Sequence, residues 1–228
     1  MLVVVGSPAW RDVDPVGPAG RACDVACAAA AAGARVEILG RVGDDAVGDR
    51  LLHGLVRAGV RHAAVLRDPV RATPVLPAAA AVPGIIAPWL EAADVALGLR
   101  YVTGMDVLVV TDEVDPGVLR AAVDGAAFVD AVLVVLVPAG GALPEGLPAH
   151  ATVLEAPPAG TGPDMEPDDA SDDRFAWADD EAPVADDDGR FAAMVGRFAA
   201  ALDAGQDQDA AFRAAVGHAG WEPASDER

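Results

Sequence analysis

The chain predicts an α/β layered fold with a mainly parallel central sheet, and three observations carry that prediction. Short apolar runs alternate with amphipathic, glycine-stopped stretches through the first two thirds of the sequence. The intervals between apolar runs leave room for a helix, which parallel pairing of successive strands requires. At 228 residues and 53% hydrophobic content, the chain can supply the core of one such domain.

The elements follow in order. Leu2 to Val5 is an apolar strand that ends at Gly6. Arg21 to Ala32 is an alanine-rich helix stopped by Gly33, and Arg35 to Leu39 is the next strand. Asp44 to Ala58 is amphipathic, with Val47, Leu51, Leu52, Leu55 and Val56 on one side and Gly59 as its stop. His62 to Leu66 is a strand. The proline- and alanine-rich stretch from Pro69 to Pro88 breaks the rhythm and suits short extended strands at an edge, since proline cannot donate to a ladder. Alternation resumes with strand Val107 to Val110, helix Pro116 to Ala127, strand Ala131 to Val137 and a short strand Thr152 to Glu155. Asp164 to Asp188 then carries twelve carboxylates and one arginine, which reads as a solvated loop. Phe191, Met194, Val195, Phe198 and Leu202 recur at helical spacing and define a helix from Arg190 to Ala204, followed by a last helix, Asp207 to His218.

Composition narrows the partners. A net charge of −20 repels phosphates, so neither nucleic acid nor an acidic membrane surface is expected to bind. The longest charge-free run, Ala72 to Leu90, is interrupted by four prolines and does not read as a membrane span. Met1 leads directly into Leu2 to Val5 without a basic flank, so the expected location is the cytoplasm. Cys23 and Cys27 sit one helical turn apart, where a disulfide is poorly placed, and read as small buried apolar groups.

Most familiar chemistries find no footing. Ser7, Ser171 and Ser225 are not in a Gly-x-Ser-x-Gly elbow. His53, His62, His150 and His218 are scattered without ligand spacing, so no metal site is assigned. No dinucleotide fingerprint follows Val5, and the acidic loop lacks the spacing of an EF-hand.

Two distant segments do form a pattern. GPAGRACDVACAAAAAGARVEILGRVGDDAVGDRL, from Gly17, holds Gly33, Gly40, Val42, Gly43, Asp44, Asp45 and Gly48 in a spacing that resembles the N-terminal signature of the ribokinase, or PfkB-type, carbohydrate kinase family. Thr73 falls where that family often has a threonine on its lid strand, and Val195 to Gly217 looks like the helix pair after the catalytic loop. The resemblance implies a ribokinase-like fold over residues 1–228, with lid segments near 9–18 and 65–86 and an acidic loop near 157–188. It also implies phosphoryl transfer from ATP, with Mg²⁺ on the phosphates, to a sugar or nucleoside hydroxyl. In such a site an aspartate takes the hydroxyl proton, and a preceding Gly-Ala-Gly offers backbone N–H groups to the transferred group.

Aligned through Gly196, Phe198 and Leu202, this chain places Gly189, Arg190, Phe191 and Ala192 at the Gly-Ala-Gly-Asp positions. Ala192 cannot accept a proton, and losing a general base costs on the order of 10² to 10⁴ in rate. Asp188, or Asp187 beside it, is the substitute base if one exists, with Gly189 as a remnant of the anion hole. On the sugar side, the family's Gly-Gly-x-x-x-Asn lines up with Ala19 to Asp24, so Gly20 is kept while Ala19 replaces a glycine and Asp24 the asparagine; Asp12 stands one position off the family's sugar-gripping aspartate, and Gly43 and Asp44 complete the implied substrate contacts.

Three readings are therefore open: a family member that has lost catalysis and binds at most a small sugar or nucleoside; a working kinase using Asp188, the one reading that brings in ATP and Mg²⁺; and a structural or regulatory subunit dimerising through the lid strands, where Val75 to Trp89 is apolar.

Overall fold

The computed structural model describes residues 1–76, 90–111, 114–138, 140–156 and 187–219, with the side chains of residues 187 and 188 outside that description. Its main sheet is built from β1 (Leu2–Val5), β4 (Val36–Gly43), β5 (Arg61–Asp68), β7 (Val107–Val110), β8 (Val132–Val137) and β9 (Thr152–Glu155), in the order β5-β4-β1-β7-β8-β9. Every pairing is parallel. A second sheet of β2 (Ala9–Arg11), β3 (Gly17–Ala19) and β6 (Val75–Leu76) runs β3-β2-β6, antiparallel on one side and parallel on the other.

The period-2 alternation of side chains divides the core between the two faces of the main sheet. Leu2, Val4, Ile38, Val107, Val109 and Val134 point to one face, packed by α1 (Arg21–Ala31), α2 (Ala46–Arg57), α5 (Asp187–Asp203) and α6 (Gln208–Ala219). Val3, Val5, Leu39, Leu108, Val110 and Val135 point to the other, under α3 (Ala92–Tyr101) and α4 (Pro116–Phe128). Burial on both faces explains why these strands read as continuous valine and leucine runs.

The structure corrects several expected boundaries. Strand β4 runs to Gly43, four residues beyond the apolar run that ends at Leu39. Helix α2 starts at Ala46 because Asp45 caps it, accepting the Gly48 N–H at 2.7 Å. Helix α5 begins at Asp187, earlier than the apolar periodicity that points to a start at Arg190. Helix α3 was not expected. Its Gly98 sits against Leu39, where an added Cβ would lie 2.7 Å from Cδ1, and beside it the face buries Val95 and the carboxylate residue Asp94, a mix that gives no apolar stripe in the sequence. The expected edge strand in Pro69 to Pro88 is β6, while residues 77–89 lie outside the description. The acidic loop is outside it as well.

Candidate functional site

In an open parallel sheet, ligands bind beyond the carboxyl ends of the strands where the strand order reverses. Here the chain moves from β1 to β4 and β5 on one side and to β7, β8 and β9 on the other, so the reversal lies between β1 and β7. Gly6 and Ser7 follow β1 at that edge, and Thr111 follows β7, its hydroxyl donating to the Val5 carbonyl at 3.2 Å. The small sheet stands over the same edge: an added Cβ on Gly20 would lie 3.4 Å from the Ser7 carbonyl oxygen and 3.5 Å from the Ala9 Cβ.

Two helices open toward this crevice. Gly20, at φ 84°, is the N-cap of α1, and its carbonyl accepts the Asp24 N–H at 3.0 Å. Helix α5 runs alongside α1, with Gly196 so close that an added Cβ would lie 2.6 Å from the Val25 carbonyl oxygen. At its far end Asp203 pairs at 2.6 Å with the Met1 amino group, beside the amino end of β1. The first turn of α5, with Asp188 and Gly189, therefore lies at the carboxyl edge.

The register through Gly196 places Phe191 and Ala192 within α5 rather than before it. Phe191 is 2% exposed and Ala192 1%, and both belong to the core shared with α1. Arg190 lies on the outside, its guanidinium donating to the Ala219 carbonyl at 3.2 Å. Amides inside a helix are committed to carbonyls four residues back, so a helix that begins at Asp187 spends the N–H groups of Phe191 and Ala192 on itself.

The N-terminal signature has a different fate. Gly43 is buried; its N–H donates to the Thr73 hydroxyl at 2.9 Å, and an added Cβ would lie 2.6 Å from both the Arg71 carbonyl oxygen and the Thr73 nitrogen. The Thr73 hydroxyl donates in turn to Asp45 at 2.9 Å, and the Thr73 N–H donates to the same carboxylate at 2.8 Å. Arg67 closes the knot, donating to the Gly43 carbonyl at 3.0 Å and pairing with Asp49. Partial burial works against ionisation of Asp45, but N–H donors from Gly48, Thr73 and Val47 and the Thr73 hydroxyl outweigh it and hold the carboxyl below its usual range.

A second polar cluster supports the knot. Two N–H donors, from Val70 and Arg71, hold Asp68 ionised below the ordinary carboxylate range, assisted by the Arg71 and Arg41 charges. Arg41 reaches Asp94 of α3 at 2.9 Å and lies 3.8 Å from Glu91. These groups bind β4, β5 and α3 together.

Of the sequence-derived site residues, the fold brings Gly20, Asp24, Asp188 and Gly189 to one edge. Asp44 is exposed, its N–H donating to the Asp68 carbonyl at 2.8 Å, and Asp12 is exposed beyond β2, its N–H donating to the Leu76 carbonyl at 3.1 Å. Arg41, Asp68 and Asp94 were not singled out by sequence, and Asp45, a position of the signature, was given no role there. Its type is one preferred at a helix N-cap, the role it takes here. Burial pushes the Cys27 thiol up to about 11, with Asp24 adding to the effect, and raises Cys23 further, so neither is a poised nucleophile. Beyond the ends of β7 and β8 lies a hollow of about 400 Å³ lined by Val110, Leu119, Val137, Leu143 and Glu145, with few polar groups to meet sugar hydroxyls. Among the described residues no group of three or more His, Cys, Asp or Glu side chains could hold a metal ion, and no helix is long and apolar enough to cross a membrane.

Residues 15–115 match the model of the pfkB family of carbohydrate kinases. No curated protein matches the chain significantly. Among solved structures, a protein described as a ribokinase from Agrobacterium tumefaciens is similar over 96% of this chain and 89% of its own, at 17% identity and TM-score 0.60. One described as a ribokinase II from E. coli, in complex with ATP and Mg²⁺, is similar over 94% of this chain and 89% of its own, at 12% identity and TM-score 0.58. An uncharacterized sugar kinase from Pyrococcus horikoshii is 14% identical over 60% of this chain and 52% of its own, at TM-score 0.43, so the chain spans about half the length of that protein. At these identities the structural likeness is one of fold.

Proposed function

We propose that this chain, which belongs to the PfkB-type carbohydrate kinase family, has lost phosphoryl transfer and retains at most a pocket for a small sugar or nucleoside beneath the three-stranded sheet. The observation that supports this reading is Ala192, 1% exposed inside α5, at the position where the family pattern puts its proton acceptor. A methyl group there cannot take a proton, and the adjoining amides are wound into the helix instead of facing a phosphoryl group. At the aligned positions 191 and 192, neither a proton acceptor nor an uncommitted amide is offered. What remains at the crevice is Gly20, Asp24 and the N-terminus of α1, which offer hydrogen bonds to hydroxyl groups.

A second reading has one observation in its favour. The first turn of α5, with Asp188, lies at the carboxyl edge of the sheet, where a carboxylate could reach a substrate hydroxyl. In that case ATP and Mg²⁺ would be required, and the chain would be an active sugar kinase. Calorimetry with ATP and Mg²⁺, followed by ADP production over pentoses, hexoses and nucleosides, separates the two. We expect neither ATP binding nor turnover. Micromolar ATP affinity together with turnover that Asp188→Ala abolishes would overturn the proposal.

A further inference from the structure

All three strands of the small sheet rest on the body of the molecule through a glycine. Pro8, which leads into β2, lies over Gly40 of β4, where an added Cβ would come 2.7 Å from its Cδ. Pro18 of β3 lies over Gly54 of α2, where an added Cβ would come 2.6 Å from its Cγ. Thr73, which leads into β6, lies against Gly43 at the end of β4, where the added atom would be 2.6 Å from its nitrogen. Each strand is thus seated on β4 or α2 by a contact that a β-carbon would block. Two of the seated residues are prolines, whose rings cannot swing aside as a flexible side chain does.

The same boundary is crossed by other contacts. Trp10 of β2 is 8% exposed and shares the core that holds Leu51 and Leu55 of α2. Its ring lies 3.5 Å from the Gly54 Cβ position, with the Arg50 guanidinium 5.5 Å above it. Ala9 and Ala19, opposite each other in β2 and β3, are also buried. Polar bonds add to the packing: the Gly43 N–H donates to the Thr73 hydroxyl, and the Thr73 N–H donates to Asp45. A segment that opens independently has few buried apolar contacts and exposed hydrogen bonds, and the small sheet has the reverse of both. Gly54 points the same way, because a glycine inside a helix weakens it relative to alanine, and the space this one leaves is filled by Pro18.

We propose that the three-stranded sheet is a fixed shelf, which opens only when β4 and α2 open with it. The resemblance assigns these strands to a lid, and the glycine seats turn that lid into part of the body. The crevice beneath is therefore preformed, and a ligand enters past the shelf without lifting it. This holds for the protein alone and does not depend on whether the chain is a kinase or on which ligand it takes.

Two measurements on the full chain test it. Amide hydrogen exchange as a function of urea, followed by NMR, compares the Gly43 and Thr73 N–H groups, which bridge shelf and body, with those of Leu51 and Leu55 inside α2. Their protection should agree within about tenfold and fall with urea at the same slope, as expected of one cooperative unit. Bridging amides protected less than this, or without urea dependence, overturn the proposal. Gly54→Ala tests the seat itself. By helix propensity alone it would favour folding about fivefold, but driving a Cβ into the Pro18 ring should instead disfavour folding by about fivefold or more. In a Pro18→Ala background the same change should be neutral or favourable, so the shift in urea midpoint reverses sign when the ring is removed. A Gly54→Ala change that stabilises the otherwise wild-type chain, or that costs the same with and without Pro18, overturns the proposal. If Gly54→Ala prevents folding outright, the exchange measurement on the wild-type chain decides alone.

Discussion

The knot around Asp45 and the start of α5 both lie at positions of a shared sequence pattern, yet one is polar and cross-linked and the other apolar and closed. Around Asp45, two glycines, a threonine and one carboxylate are joined by hydrogen bonds between β4, α2 and the segment leading to β6. At the start of α5, the corresponding positions are filled by a phenylalanine and an alanine packed against α1. The difference separates two duties that a motif can hide. Residues that hold the scaffold persist in the first region, because removing one leaves buried partners unsatisfied. No such constraint acts on the second if catalysis is lost as proposed, and there Phe191 and Ala192 pack as core.

The strongest way to break this comparison is to put the acid back. Ala192→Asp places a carboxylate in a site 1% exposed, among the apolar side chains of the core shared with α1. It should destabilise the chain by about 3–5 kcal/mol, the range found when a buried charge is left unpaired, and should restore no ADP production. Urea unfolding measures the first and a coupled ADP assay the second. An Ala192→Asp variant with wild-type stability would mean that the position faces an open hollow, and the two regions would then be alike.

Sequence reading reached these regions unequally. The strands were readable because burial on both faces leaves uninterrupted apolar runs, as in Val107 to Val110. Helix α3 was not, because the residues it buries are Asp94, Val95 and Gly98, of which only one is a large apolar side chain, too little for a periodic hydrophobic signal. At the knot, the neighbouring Asp44 and Asp45 are indistinguishable by type, and the partner that assigns their roles, Thr73, is brought in by a fold contact across 28 positions. The departure from the family pattern at Ala192 was visible as an alanine where the resemblance implies an aspartate. That the position lies in the core was not, because it depends on where α5 begins and on how closely Gly196 lets α1 approach.

A smaller effect sharpens the scaffold side. Asp45→Ala removes the cap of α2 and leaves the Thr73 N–H without its carboxylate, which together should cost about 2–3 kcal/mol. The carboxyl is held below its usual range in the fold, so its contribution is complete above the ordinary carboxylate range and is lost as the pH falls through that range and below. The difference in urea midpoint between wild type and Asp45→Asn should therefore be widest near neutral pH and narrow toward pH 3. A gap that is constant or grows on acidification would show that charge at Asp45 plays no part.

The least effect belongs to the neighbour. Asp44 is exposed and, among the described residues, contributes its backbone N–H to the Asp68 carbonyl, so Asp44→Ala should change stability by no more than about 0.5 kcal/mol. The adjacent aspartates would then differ several-fold in cost, as expected if one serves the scaffold and the other faces solvent. Because Asp44 is also among the residues proposed to touch a ligand, calorimetry with the sugars and nucleosides gives its variant a second use. Unchanged stability with weakened binding would place Asp44 in the crevice's remaining chemistry. A stability loss near that of Asp45→Ala would instead make the pair one structural unit, and the signature's division into scaffold and ligand contacts would fail at its most closely spaced point.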